Sequence, residues 1–130
     1  MPPEWLAALA PLGTDCHKPY LEIVPWIVVV FEEAYQIDPS GKRLKTYYAK
    51  ESVGMACGLF VMALHRMGLA TLTHTPSPMA FLSTILGRPE NERPYILFPI
   101  GYPADDAMVP DLRRKTLAEI STWHPATISV

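Results

Sequence analysis

The chain has 130 residues and a formal net charge of −2, with 49% hydrophobic and 18% charged residues. This composition indicates one modest globular domain and excludes a disordered chain. The slight acidity argues against nucleic acid as a partner, because phosphate binding needs a basic face. Cys16 and Cys57 make no disulfide framework, and the apolar run 23–31 is too short to cross a bilayer. We therefore expect a single cytoplasmic domain over residues 1–130 that has no membrane partner.

The first half of the chain predicts a short helix and a buried strand. Residues 4–9 favour a helix that ends at Pro11 and Gly13. Residues 26–31 are continuously apolar and mostly β-branched, and continuous apolarity indicates burial on both faces of a strand. We therefore predict a central strand there. A polar turn, Asp-Pro-Ser-Gly, is expected to follow at 38–41.

The strongest predicted helix covers residues 46–67 and ends at Gly68. Its apolar residues do not keep to one face, and a helix that is apolar all round is buried all round. Gly54 and Gly58 lie four residues apart and would let another backbone approach closely. Two arrangements would bury this helix. Either the chain's own sheet covers it, or it packs against a second subunit.

The second half of the chain predicts two further strands and two helices, namely a strand at 69–73, a helix at 79–86, a strand at 94–102 and a short helix at 115–120. Ser77 is the expected N-cap of the first of these helices. Pro99 indicates an edge position or a bulge, because proline cannot donate a hydrogen bond to a ladder. The elements together predict an α+β domain with about three core strands.

The most informative segment is 70–78, which reads Ala-Thr-Leu-Thr-His-Thr-Pro-Ser-Pro. An apolar strand stops there at Thr73, His74 and Thr75. Such a turn presents hydroxyl groups and backbone N–H groups at one point, which suits an electron-rich or anionic ligand. An ordinary strand–helix connection has the same composition, since many loops carry Thr and Pro.

Two further features are candidate binding groups. Arg113, Arg114 and Lys115 form the one dense basic cluster, which suits phosphate, although a solvated surface patch has the same sequence. Lys18 taken alone is an ordinary surface lysine. The four histidines lack metal-ligand spacing, and the chain contains no Gly-x-Ser-x-Gly elbow, P-loop or dinucleotide fingerprint. We therefore expect no metal.

Seven short segments occur in a characteristic order: Tyr47-Tyr48, Glu51-Ser52-Val53-Gly54-Met55-Ala56-Cys57-Gly58, Gly68-Leu69, Thr73-His74-Thr75-Pro76, Leu86-Gly87-Arg88-Pro89, Pro99-Ile100-Gly101-Tyr102-Pro103 and Val109-Pro110-Asp111-Leu112-Arg113-Arg114-Lys115. In that order they resemble the nitroreductase superfamily, most closely the branch that contains iodotyrosine deiodinase and its bacterial relatives. The resemblance covers residues 18–120. It implies a mixed or antiparallel sheet flanked by helices, with a buried central helix.

The resemblance also implies a flavin enzyme. Members of the family hold FMN without a covalent link, at the interface of an intertwined homodimer. They pass electrons from NAD(P)H or another reductant to a small aromatic substrate. The deiodinase branch removes halogen reductively from halotyrosines, and other members reduce nitroaromatics or quinones. We therefore expect a homodimeric FMN-dependent oxidoreductase with one of these activities.

Individual site residues follow from the same resemblance. Thr73, His74 and Thr75 match the flavin-contacting turn, and the Thr75 hydroxyl is the catalytic candidate, a hydrogen-bond donor to flavin N5. Arg114 matches the arginine that approaches the FMN tail. Lys18 matches the lysine that binds the amino-acid part of the substrate in the deiodinase branch.

One part of the family pattern does not occur in this sequence: the helical segment with an Arg-Arg-Ser-x-Arg motif that grips the FMN phosphate. The lid that supplies the branch's glutamate and tyrosine is expected mostly before Met1. The chain therefore matches the C-terminal portion of the family fold. Several missing Arg–phosphate bonds, each worth about 1.5–3 kcal/mol, would weaken FMN binding by orders of magnitude. The alternative function is a non-enzymatic dimerisation module that binds flavin weakly or not at all.

Overall fold

The computed structural model describes residues 3–124, which divide into two compact units. In chain order the elements are α1 (Pro3–Leu9), a 3₁₀ helix (Ala10–Leu12), α2 (Tyr20–Ile23), β1 (Trp26–Glu33), β2 (Tyr35–Ile37), β3 (Arg43–Lys45), α3 (Ala49–Arg66), β4 (Ala70–Thr71), α4 (Phe81–Ile85), β5 (Glu92–Gly101) and α5 (Leu117–Ile120). Residues 17–107 form the larger unit, and residues 3–16 and 108–124 form the smaller one. A single domain over residues 1–130 stays a prediction.

The main sheet is antiparallel and has three strands in the order β1-β5-β4. β1 pairs with β5 from Trp26 opposite Ile100 to Glu33 opposite Glu92. The predicted strand at 26–31 therefore exists, but its predicted central position is wrong. β5 is the central strand, because it takes partners on both sides, whereas β1 lies at the edge of the sheet. The strands β2 and β3 form a separate two-stranded ladder.

Pro99 lies in the central strand, so its predicted edge position is wrong. In an antiparallel strand the N–H and C=O groups of one residue point to the same neighbour. Leu97 exchanges both backbone hydrogen bonds with His74 at 2.9 Å, so Pro99, two residues later, also faces the β4 side. The register places Leu72 opposite Pro99, where no N–H is available. The proline therefore interrupts pairing on one side only and leaves the ladder to β1 intact.

The long helix α3 begins and ends at residues with left-handed backbone conformations. Tyr48 at the N-cap has a φ of 58°, which cannot continue a right-handed helix, so α3 starts at Ala49. Gly68 has a φ of 73° and follows the last turn. The Leu69 N–H donates to the Leu64 carbonyl and the Gly68 N–H to the carbonyl of His65, each at 3.0 Å. This Schellman motif confirms the predicted stop at Gly68.

One face of α3 packs on the sheet and forms the core. Cys57 and Leu64 are buried together with Phe98 and Ile100 of β5. The rings of Phe60 and Phe98 meet edge to face with centroids 5.3 Å apart, a favoured aromatic geometry. Burial of Cys57 agrees with its interpretation as a small buried hydrophobe. The core therefore lies between α3 and the central strand.

The opposite face of α3 is exposed and apolar. Met55, Leu59 and Met62 are 67%, 74% and 58% exposed. These residues recur at spacings of three and four, so they lie on one stripe of the helix surface. The chain's own sheet therefore covers only one face of the helix that was expected to be buried all round.

The second strand–helix connection differs from its predicted bounds. β4 contains only Ala70 and Thr71, and α4 begins at Phe81. The predicted N-cap at Ser77 is wrong, because Ala80 occupies the N-cap position and makes no side-chain capping bond. The polar segment between β4 and α4 is therefore longer than expected, and it contains the candidate turn.

Candidate functional site

The turn at Thr73–Thr75 is held to the central strand by its middle residue. The His74 N–H donates to the Leu97 carbonyl, and the Leu97 N–H donates to the His74 carbonyl, both at 2.9 Å. His74 is half-buried, whereas Thr73 and Thr75 are exposed. This alternation is expected of an extended segment, in which successive side chains point to opposite sides. The turn therefore presents two exposed hydroxyls from a backbone that is fixed between them.

The hydroxyls of Thr73 and Thr75 differ from those of Thr46 and Thr71 in the larger unit, which bond to backbone carbonyls. Thr71 donates to the Pro99 carbonyl at 2.8 Å, and Thr46 donates to the carbonyls of β1 and the residue after it. Within residues 3–124, the side chains of Thr73 and Thr75 make no hydrogen bond to other groups of the chain. They are available to a ligand without loss of an internal bond.

The His74 side chain is held by Tyr20. The Tyr20 hydroxyl lies 2.7 Å from Nε2 of His74, and the two ring centroids are 5.5 Å apart with a tilt of 48°. Burial lowers the pKa of His74, and the nearby Lys18 cation lowers it further. Burial also raises the pKa of Tyr20. At neutral pH the histidine is therefore uncharged, and the Tyr20 O–H can donate to Nε2.

Lys18 is brought to this turn by the short helix α2. It is half-buried, and its carbonyl accepts the Leu21 N–H at 3.0 Å in the first turn of that helix. Lys18 precedes Tyr20 by two residues, and the Tyr20 hydroxyl lies 2.7 Å from the His74 ring, so Lys18 lies near the 73–75 turn. Sequence reasoning proposed both features but missed Tyr20, which connects them. Its position two residues after Lys18 was the one available signal.

Arg114 lies in the smaller unit, next to Arg113, whose side chain is bonded to Glu119. Arg113 makes two hydrogen bonds to the Glu119 carboxylate, at 2.8 and 2.9 Å. Glu119 also accepts the backbone N–H and the hydroxyl of Thr116, and these bonds, together with Arg113, lower the pKa of Glu119. Arg114 is exposed and has no ion pair in the described part of the chain. Its guanidinium is therefore available to an anion.

A shallow cavity lies next to the turn in the larger unit. Its volume is about 320 Å³, and its lining includes Tyr20, Thr71, Leu72, Pro99 and Tyr102. In the part of the chain that the structure describes, no group of three or more His, Cys, Asp and Glu side chains is placed to hold a metal ion. No helix among those residues is long and apolar enough to span a membrane.

Curated relatives of the chain are iodotyrosine deiodinases. The chain is 60% identical over 117 residues to iodotyrosine deiodinase of Haliscomenobacter hydrossis, a match that covers 90% of this chain and 53% of the relative. It is 44% identical over 120 residues to iodotyrosine deiodinase of Danio rerio, covering 90% of this chain and 40% of the relative. The chain thus spans about half the length of the curated relatives it matches. No protein-family model matches it.

Two solved structures share the fold. A crystal structure of oxidized iodotyrosine deiodinase bound to FMN and 3-iodo-L-tyrosine superposes with a TM-score of 0.69 at 26% identity, covering 92% of this chain and 58% of that one. A nitroreductase family protein from Clostridium difficile 630 gives a TM-score of 0.58 at 17% identity, with coverages of 77% and 59%. The second likeness concerns the fold alone.

The chain therefore shares its fold with an iodotyrosine deiodinase and with a nitroreductase family protein, which confirms the predicted α+β class with an antiparallel sheet flanked by helices. The chain is similar in sequence and structure to iodotyrosine deiodinases, so the predicted resemblance to their branch is confirmed.

Proposed function

We propose that this chain provides the flavin turn and a substrate-binding lysine of an FMN-dependent oxidoreductase that delivers electrons to a small aromatic substrate. The observation that carries the proposal is the proximity of Lys18 to the 73–75 turn through His74. Similarity to the iodotyrosine deiodinases supports reductive dehalogenation of a halotyrosine as the specific reaction. Reduction of nitroaromatics is the less specific candidate.

The residues present fit FMN. The exposed hydroxyls of Thr73 and Thr75 suit the polar edge of a flavin, and Thr75 is the proposed donor to N5. The exposed guanidinium of Arg114 suits the phosphate, while Arg113 is held by Glu119. FMN supplies two-electron chemistry between a reductant such as NAD(P)H and an aromatic substrate. The role of His74 is to fix the backbone from which both hydroxyls project.

Lys18 supplies specificity for a charged substrate. An ammonium group pairs with the carboxylate of a free amino acid and has no matching partner on a neutral nitroaromatic. A carboxylate-bearing ring bound by Lys18 would therefore lie beside the 73–75 turn, because the Lys18 charge already acts on His74. This arrangement favours halotyrosine over neutral aromatics.

A homodimer accounts for the exposed face of α3. Met55, Leu59 and Met62 form an apolar stripe that a soluble monomer would leave in water. A second copy of the same helix would cover it.

A cytoplasmic location stays a prediction, which the two free thiols of Cys16 and Cys57 support.

The second candidate function is a dimerisation module that binds flavin weakly or not at all. Its supporting observation is the sparse set of phosphate-binding cations, in which Arg114 is the proposed anchor and no Arg-Arg-Ser-x-Arg motif occurs in the sequence. The visible absorption spectrum of the purified protein separates the two functions. Flavin absorption bands, together with release of FMN on denaturation, support the oxidoreductase.

A fluorescence titration with FMN tests the site itself. Thr75→Val keeps the shape of the side chain and removes the hydroxyl, whereas Thr71→Val removes a hydroxyl that bonds Pro99. We expect the first variant to weaken FMN binding or shift the flavin potential, and the second to leave both nearly unchanged. Equal effects would contradict the proposed role of Thr75.

A further inference from the structure

We propose that Tyr20 is a positioning residue that locks the Lys18 segment to the 73–75 turn, so that the substrate lysine and the flavin-facing hydroxyls are held as one unit. The inference rests on the proposed roles of Lys18 and Thr75. Its geometric basis is the bond of 2.7 Å between the Tyr20 hydroxyl and Nε2 of His74, two residues that are 54 positions apart in the chain.

The turn side of this lock is rigid. Both backbone groups of His74 bond to Leu97 in the central strand, so the ring projects from a fixed point of the sheet. Within residues 3–124 the side-chain bond of His74 is the one to Tyr20. The bond from the Tyr20 hydroxyl therefore attaches the Lys18 segment to the sheet rather than to a loop.

The Lys18 side of the lock is a single helical turn. The Leu21 N–H donates to the Lys18 carbonyl, and the Val24 N–H donates to the Tyr20 carbonyl, both at 3.0 Å. A four-residue helix is too short to be stable by itself, so its position depends on its attachments. Val24 and Pro25 lie against Gly101 at the far end, where a Cβ atom would be 3.3 Å from the proline ring. Tyr20 attaches the end that carries Lys18.

Charge places a demand on this attachment. The Lys18 ammonium and the His74 imidazole are close enough to interact, and both would be cations if His74 were protonated. Among residues 3–124, the group that bonds the His74 ring is the Tyr20 phenol, which is neutral. An uncharged His74 that accepts the Tyr20 O–H therefore lets Lys18 stay near the turn without repulsion.

A double-mutant cycle tests the positioning without flavin or substrate. The variants are Lys18→Met, Tyr20→Phe and their combination, and the readout is the pKa of the His74 imidazole measured by NMR on the full chain. Lys18→Met should raise the pKa of His74, because a nearby cation is removed. In the Tyr20→Phe background most of that rise should be lost, because Lys18 is no longer held beside the ring.

The controls are Lys18→Arg, which keeps the charge, and Tyr102→Phe, which removes an exposed hydroxyl on the same cavity. An equal rise with and without the Tyr20 hydroxyl would overturn the proposal. A merely structural tyrosine would change the stability of the chain and leave the effect of Lys18 on His74 as it was.

Amide hydrogen exchange in His74→Phe provides a second test from the other side of the lock. This variant keeps an aromatic ring and removes Nε2. Exchange of the Leu21 amide, which reports the Lys18 turn, should be about 3- to 10-fold faster, the range expected for loss of one hydrogen bond. The Phe98 amide, which faces β1, should be unchanged. An unchanged Leu21 amide would overturn the proposal. If both tests succeed and FMN does not bind, the proposed function fails and the positioning stands.

Discussion

A Cβ atom at Gly54 would lie 3.1 Å from the hydroxyl of Tyr95, whereas one at Gly58, a turn later, would meet nothing within 4 Å. Gly54 therefore has a steric reason to be small, whereas the described residues give none at Gly58. Alanine stabilises a helix by about 1 kcal/mol relative to glycine when space allows. Gly58→Ala should thus raise the free energy of unfolding by about 0.5–1 kcal/mol. Gly54→Ala should gain less or lose stability, because Tyr95 must move.

Urea unfolding at one protein concentration measures both variants. Gly54→Ala in a Tyr95→Phe background gives the control, since the crowding hydroxyl is then absent and the helix-propensity gain should reappear. A Gly54→Ala variant as stable as Gly58→Ala would show that the contact with Tyr95 does not limit the approach of α3 to the sheet.

Arg114 and Arg113 offer a matched pair of phosphate tests. Arg114→Ala should weaken FMN binding about 10- to 100-fold, the range for one charged hydrogen bond, and should affect riboflavin little because riboflavin lacks the phosphate. Arg113→Ala should change the two ligands alike, since this side chain is bonded to Glu119. Fluorescence titration provides the dissociation constants. Equal losses of both ligands on Arg114→Ala would rule out a phosphate contact.

The pKa of His74 makes stability depend on pH. Its folded-state pKa lies below the ordinary value of 6.5, so the unfolded chain takes up a proton first as the pH falls. The contribution of His74 to the free energy of unfolding should therefore be fully present above pH 6.5. It should decrease as the pH falls below 6.5 and level off once the pH passes the folded-state pKa. His74→Phe should remove this part of the slope, and Lys18→Met should reduce it. Urea unfolding across this pH range gives the measurement, and an unchanged slope in His74→Phe would assign the dependence to other groups.

The exposed stripe on α3 predicts the oligomeric state. Leu59→Glu places a charge in that stripe, and in a homodimer it should convert the dimer to monomer, because a buried unpaired charge is costly. Lys50→Glu changes a charge on an exposed position of the same helix and should leave the dimer intact. Sedimentation equilibrium at micromolar concentration decides. A stable, well-folded monomer of the wild-type chain would contradict the homodimer.

Lys18 separates the two proposed substrate classes. Lys18→Ala should raise the KM for iodotyrosine by about 10- to 100-fold, because a charged contact with the carboxylate is lost. The KM for a neutral nitroaromatic should change little. Steady-state kinetics in which the flavin is kept in its reduced form gives the KM for each substrate. A parallel rise for both substrates would make Lys18 a structural residue.

Local chemistry made several elements predictable. Gly68 ended α3 because a left-handed residue is required there, and the short helix predicted at 115–120 is present as α5. The position of β5 was not predictable, because strand order depends on pairing between distant segments. The same holds for Pro99, whose missing N–H is tolerated in the middle of the sheet only because it faces the interrupted strand.

The candidate site divides in the same way. Thr73, Thr75 and Arg114 were proposed from their motifs, since each matches a short sequence pattern, and their roles stay predictions. Their present availability was not predictable, because it depends on Glu119 binding Arg113 and on His74 turning inward to Tyr20. Contacts between residues 54 positions apart leave no mark on local composition.

Pro99 also determines how the 73–75 turn is suspended from the sheet. Any other residue at position 99 would offer an N–H to the Leu72 carbonyl. The pairing of β4 with β5 would then continue without interruption as far as His74. With proline at position 99, the segment pairs with β5 at Thr71 and again at His74. Leu72 and Thr73 form a short unpaired span between these two positions. Thr73 lies in that span. Because Thr71 and His74 fix both ends of this span, the Thr73 hydroxyl is held beside the central strand although Thr73 itself is not paired.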